Sequence, residues 1–401
     1  MSLRPTLPRA AHFTRRTTLV AAAAAALVAA SFSAQAQQQP PLKVGLMLPA
    51  SGTFAALGDF IEKGFKLYVQ EQGGKLGGRE IQYFTVDDES DPSKAVENAN
   101  KLIKRDQVDV LIGTVHSGVA LGMARAARES NTLLIVPNAG AGAITGPLCA
   151  PNIFRSSFSN WQPGYGAGVV AAGKGYKRAM TITWNYAAGN ETVQGFKDGF
   201  AKGGGTVMKD LTVPFPNVEF QALLTEIAAQ KPDVVFAFFA GGGAVKFTKD
   251  YEAAGLKASV PLVVSGFVTD GTLQAQGSSA QGILSTLHYA DNLDTPRNNA
   301  FRKSFAVTYK ANADVYAVQG YDAAQLLAAG LNAVKGDFSK RDALHAAMSK
   351  AVIDSPRGKF SLSPQRNPVQ DIYLREAKGL NNEFRSVAVK ALADPGTGCK
   401  L

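Results

Sequence analysis

Residues 43–68 read KVGLMLPASGTFAALGDFIEKGFKLY. The stretch from Lys43 to Pro49 lacks polar alternation and reads as a strand buried on both faces. Past a small, polar turn, Leu57, Phe60, Ile61, Gly64, Phe65 and Tyr68 recur at helical spacing, and Gly73-Gly74 closes that helix. A doubly buried strand followed by an amphipathic helix is the repeating unit of a parallel sheet covered by helices.

The unit repeats outward from there. Strands are expected at Ile81–Val86, Val108–Gly113 and Leu133–Val136. Between them lie a helix over Ser93–Arg105, with Val96, Leu102 and Ile103 facing inward, and another over Val119–Arg128. The rhythm then restarts, with strands at Ala179–Trp184, Val207–Val213, Val234–Phe239 and Pro261–Ser265. Its helices are Thr192–Ala201, Phe220–Gln230 and Val245–Ala254. Helices over Arg297–Lys310, Val318–Ala333 and Arg341–Ala351, with a last strand at Gln370–Arg375, are too short for a third domain. The expected fold is therefore α/β in two similar lobes, residues 41–159 with 289–362 and residues 160–288 with 363–401. Short crossings between them can serve as a hinge.

The first 36 residues carry Arg4, Arg9, Arg15 and Arg16 and no acid, then an alanine-rich apolar run and the small-x-small tripeptide Ala34-Gln35-Ala36. This is the pattern of a secretory leader cleaved near Ala36, with a mature chain exported to the periplasm. The apolar run is shorter than the roughly 20 residues of a spanning helix. The Arg15-Arg16 pair favours the twin-arginine route, and the Sec route stays open. Removing the four leader arginines from 42 basic residues leaves 38, against 32 acidic ones. These charges are scattered, without the clustered basic stripe that nucleic acid requires. Cys149 and Cys399 read most simply as one disulfide in an oxidising compartment, the alternative being two free thiols. The four histidines are too dispersed for a metal cluster, and no cofactor is expected. Asp87-Asp88-Glu89 reads as a solvated turn ahead of a helix cap.

Parallel sheets bind ligands beyond the carboxyl ends of their strands, where helix N-termini present free N–H groups. That singles out the loop Ala50–Gly58, the loop Gly113–Gly118 with Ser117, and the loop Pro137–Gly142 with Asn138, Ala139 and Gly140. The corresponding loops of the second lobe carry Asn185 and Tyr186, then Gly241, then Phe267, and the first crossing carries Trp161. Ser117 reads either as the cap of its helix or as a hydroxyl for a ligand carboxylate. No nucleophile elbow, P-loop or dinucleotide fingerprint occurs, so an enzyme is not expected.

The ordered set Lys43–Pro49, Ser51-Gly52, Gly73-Gly74, Asp87-Asp88, Asp91-Pro92, Val136–Ala139, Phe154-Arg155, Tyr321–Ala323 and Arg357-Gly358 resembles one family. It is that of the branched-chain-amino-acid-type periplasmic binding proteins of ABC transporters. The resemblance implies two Rossmann-like lobes joined by three crossings, near Ser159-Asn160, His288-Tyr289 and Ser361–Gln365, closing on a small ligand. It implies an inner-membrane permease as partner and a monomer in solution. It assigns the ligand's carboxylate to Ser117, Asn138, Ala139 and Gly140, and places Leu57 beside the ligand's side chain.

The departures from that pattern redirect the expected cargo. Where amino-acid binders carry a second-lobe acid for the ammonium, this chain has Ser265-Gly266-Phe267, and the nearest acid is Asp270. A buried ammonium without a counter-charge costs several kcal/mol. The resemblance therefore points to an aromatic or apolar carboxylate held by Ser117 against Phe267, Trp161 or Tyr186, as in the aromatic-acid branch. The alternatives are an amino acid or amide met by Asp270, and a sensory module on the same fold.

Overall fold

The computed structural model describes residues 1–2, 5–6 and 39–401. The leader and its cleavage site at Ala36 lie outside the described residues. The first sheet holds β1 (Leu42–Leu48), β2 (Lys75–Leu76), β3 (Arg79–Asp87), β4 (Val110–Ile112), β5 (Leu133–Val136) and β6 (Ile153–Arg155) in the order β2-β3-β1-β4-β5-β6. All its neighbours are parallel except β2 and β3, and Val44 lies between Tyr83 and Val110 in the register. Of β1, every residue except Lys43 is buried, as a strand covered on both faces requires.

The second sheet holds β7 (Arg178–Asn185), β8 (Thr206–Pro214), β9 (Val234–Phe238), β10 (Leu262–Ser265) and β11 (Leu284–Leu287), all parallel. It continues antiparallel through β12 (Val352–Ile353), β13 (Phe360–Leu362), β14 (Pro368–Lys378) and β15 (Asn381–Leu392). The single strand expected at Gln370–Arg375 is thus one arm of a long hairpin. Its partner β15 is buried only at Asn382, and its apolar run is limited to Val387–Val389.

Helices α1 (Ala55–Glu71), α2 (Ala95–Asn100) and α3 (Ser117–Ser130) cover the first sheet; α4 (Trp161–Gly173), α5 (Ala187–Lys202), α6 (Gln221–Gln230) and α7 (Gly241–Ala253) cover the second. The later helices α8 (Pro296–Tyr309), α9 (Val315–Ala333) and α10 (Arg341–Ser349) follow β11, and α9 packs on α1. Two details differ from the sequence reading. Val96 is 39% exposed, and the inward stripe of α2 is Ala95, Asn98 and Ala99, continuing to Leu102. Ala95 is the contact because Gly122 of α3 lies directly over it, a spacing that admits only small residues. Asp88 is fully buried rather than solvated. It accepts from the Thr114 hydroxyl and the Ser90 N–H, and burial pushes its carboxyl up to about 6.

Cys149 and Cys399 form a disulfide with their Cα atoms 5.6 Å apart, tying the C-terminal residues to the loop after β5.

Backbone meets backbone where α1 crosses α9. A methyl on Gly64 would fall on the Ala317 carbonyl oxygen, and one on Gly320 on that of Ile61. Gly320→Ala should cost about 1–3 kcal/mol by overpacking, measured by denaturant unfolding. Gly173→Ala, with nothing within 4 Å, is the control and should leave stability unchanged.

Candidate functional site

Seven strands of the two sheets end or open into loops around one narrow cavity. Phe54 follows β1, Val115 and Ser117 follow β4, and Asn138 and Gly140 follow β5. Phe158 and Asn160 lie on the passage from β6 to α4. From the second sheet come Tyr186 and Ala188 after β7, Phe238 and Ala240 at the end of β9, and Phe267 after β10. Tyr316, in the first turn of α9, completes the wall.

The walls are mostly aromatic. Phe158 lies 4.7 Å from Phe267 between ring centroids, Phe267 6.1 Å from Tyr316, and Tyr186 6.3 Å from Phe238. Rings also meet across the cleft: Phe54 is 5.4 Å from Phe215, and His116 stacks on Tyr186 at 4.8 Å. The lobes are therefore closed. Gly241, at φ +54°, brings its backbone so near the Thr53 carbonyl that a side chain would collide with it.

Polar groups converge on one wall. His116, not Ser117, caps α3: its Nδ1 accepts from the Gly118 N–H at 3.1 Å, and burial lowers the ring to about 4, so it is neutral. That leaves the Ser117 hydroxyl free for other work, and it accepts from Asn160 Nδ2 at 3.2 Å. Asn138 Nδ2 donates to Gln319 Oε1 at 2.6 Å. None of the described lining residues is charged. Behind the wall, the fully buried Arg155 donates to the Ala141 carbonyl at 2.7 Å and to Thr145 and Asn367, and burial pushes its guanidinium down to about 10.

Of the residues singled out from sequence, Ser117, Asn138, Gly140, Tyr186 and Phe267 line this cavity. The other five are placed elsewhere. Trp161 stacks on Tyr165 at 4.5 Å and donates Nε1–H to Asp198 at 2.7 Å, so it packs along α4 instead of facing the cavity. The Ala139 N–H is committed to the Thr114 carbonyl at 2.9 Å. Asn185 is exposed, Gly241 serves the lobe contact at Thr53, and Leu57 borders a separate cleft beside Phe60 and Asp314. The sequence points to no role for Phe158, Phe238 or Tyr316; Phe54 falls inside the candidate loop Ala50–Gly58 and Asn160 at the expected first crossing, neither with a ligand role of its own. Phe238 stands in an apolar run and looks like ordinary core, while Phe158 is a lone aromatic among Ser156, Ser157 and Ser159.

Asp270, the acid nearest in sequence to Ser265–Phe267, has no exposed surface and pairs with the equally buried Arg375 at 2.7 Å. Burial raises its pKa and Arg375 counters that rise. Its charge is already matched inside the protein.

The periplasmic binding protein family matches residues 41–382, nearly the whole described chain. This chain belongs to the periplasmic binding protein family. A Brucella melitensis relative, Leu/Ile/Val-binding protein homolog 6, is 30% identical over 90% of this chain and 95% of its own. A solute-binding protein of an ABC transporter from R. palustris, solved in complex with benzoate, is 56% identical with a TM-score of 0.88, covering 90% of this chain and all of that one. A second, from Rhodopseudomonas palustris BisB5 in complex with 3,4-dihydroxybenzoic acid, is 32% identical with a TM-score of 0.83, covering 89% and 99%. As a periplasmic binding protein, the chain is a solute-binding component of ABC transport with the two-lobed α/β fold. No helix among the described residues is long and apolar enough to cross a membrane.

Arg375→Met should strand the Asp270 carboxylate and lower stability by about 3–5 kcal/mol. Denaturant unfolding measures this, and a loss below about 1 kcal/mol would mean that the pair is hydrated.

Proposed function

We propose that this periplasmic binding protein captures an aromatic monocarboxylate between its lobes and passes it unchanged to an inner-membrane ABC permease. One observation carries this reading: an aromatic-walled cavity with neutral donors on one side and no charged side chain among its described lining residues. The ring would lie among Phe158, Phe267, Tyr186 and Phe238. The carboxylate would take the Ser117 hydroxyl and the N-terminus of α3, whose dipole favours an anion. The benzoate complex of the R. palustris relative supports this ligand class.

The name of the Brucella relative favours a second reading, a branched-chain amino acid. That ligand brings an ammonium into a cavity where no described lining residue is an acid. We further propose export by the N-terminal leader with cleavage near Ala36, a monomeric mature protein, and lobes bounded as expected from sequence except over residues 352–362, where β12 and β13 join the second sheet. Leu57 and Trp161 have no part in this site as proposed.

Titration calorimetry and thermal shift with benzoate, 4-hydroxybenzoate and leucine test the ligand class. An aromatic acid at 100 times its dissociation constant should add about 2.7 kcal/mol of stability, and leucine should add nothing. Ser117→Ala should weaken benzoate by roughly 10- to 100-fold, the range for a hydrogen bond to a charged group. Tight leucine binding with no response to aromatic acids would overturn the reading.

A further inference from the structure

Glu191 belongs to α5, on the second sheet, yet its bonds run to the first-lobe side of the cavity. Its Oε2 accepts from the Gly142 N–H at 3.0 Å, in the loop after β5, and from Asn160 Nδ2 at 2.8 Å. The same Asn160 nitrogen reaches Ser117 Oγ at 3.2 Å. On the other side of that amide, Asn160 Oδ1 lies against Gly140, where a side chain would collide with it.

These contacts have a direction. An ionised carboxylate only accepts hydrogen bonds, so Asn160 must turn its NH₂ toward Glu191. That same NH₂ then meets Ser117, whose oxygen accepts and whose own hydrogen stays free to donate. With the amide reversed, Oδ1 would take the Ser117 hydrogen, and a ligand anion would face the hydroxyl's lone pairs. Burial raises the Glu191 pKa, and the bonds from Asn160 and Gly142, with Arg155 behind the loop, oppose that rise in favour of the carboxylate. We propose that Glu191 is a positioning residue, which orients Asn160 across the lobe interface so that Ser117 becomes a donor for the ligand's carboxylate only when the lobes are closed. The proposal rests on the aromatic-carboxylate reading of the cavity.

The test compares benzoate with benzamide, its neutral near-isostere, by calorimetry on wild type, Glu191→Gln and Glu191→Asp. Glutamine both donates and accepts, so it releases Asn160 to reverse. Benzoate affinity should then fall by roughly 10-fold, the equivalent of one charge-assisted bond, with benzamide affinity little changed. Glu191→Asp keeps the acceptor-only group and should retain the preference for benzoate, even where it weakens both ligands. An unchanged unfolding midpoint of the ligand-free Gln variant shows that the fold is intact. Equal losses for both ligands would reduce Glu191 to a clasp between the lobes and overturn the proposal, as would no loss for either. If wild type binds no aromatic carboxylate at all, the ligand class itself fails and this proposal falls with it.

Discussion

Parallel pairing in both sheets is the constraint on which the site depends. Parallel strands must cross back through helices, so every carboxyl end opens into a loop that starts a helix, and these loops gather along one edge. Here the loop edges of both sheets face each other across a single cavity. Neither sheet could build it alone, because the Ser117 wall and the Phe267 wall come from different sheets. Tyr316 arrives from a third direction, through a helix that is locked in place by backbone contact with α1. The glycines at that crossing are structural requirements with a functional consequence.

Charge is managed by keeping it out of the cavity and neutralising it nearby. Asp270 with Arg375, and Asp322 with Arg357 at 3.1 Å, are ion pairs almost without exposed surface. Arg357 also donates to the Ser156 and Ser157 carbonyls, which precede the passage between the lobes. Such pairs add little net stability but are costly to break, so they hold these segments in fixed positions. What remains at the cavity is a set of neutral donors and aromatic faces. That surface suits an anionic ring and gives an ammonium no partner.

Local geometry explains why several helices begin earlier than their sequences suggest. The Gly241–Gly243 triplet and the Ala187–Gly189 segment look like loops, because glycine is a poor helix former. In the structure both are first turns, and both lie against Trp184: Gly243 under its indole and Gly189 on its carbonyl. Packing overrides propensity at those points. The same reasoning covers Ser117, whose expected capping role passes to the neighbouring His116.

The sequence by itself determined the parallel α/β architecture and its restart, because a strand buried on both faces and an amphipathic helix each leave a local periodic signal. It also placed Ser117, Asn138, Gly140, Tyr186 and Phe267 in strand-end loops, since that location follows from chain order alone. Only the tertiary structure decided which of those loops share a cavity, that Trp161 turns away toward Asp198, and that Asp270 belongs to Arg375. It alone brought in Phe158, a lone aromatic between serines, and Phe238 and Tyr316, whose neighbours in sequence are ordinary core residues. The physical reason is common to all of these. Side-chain direction and charge pairing depend on contacts between residues up to 105 or more positions apart, as for Asp270 and Arg375, and no local pattern records them.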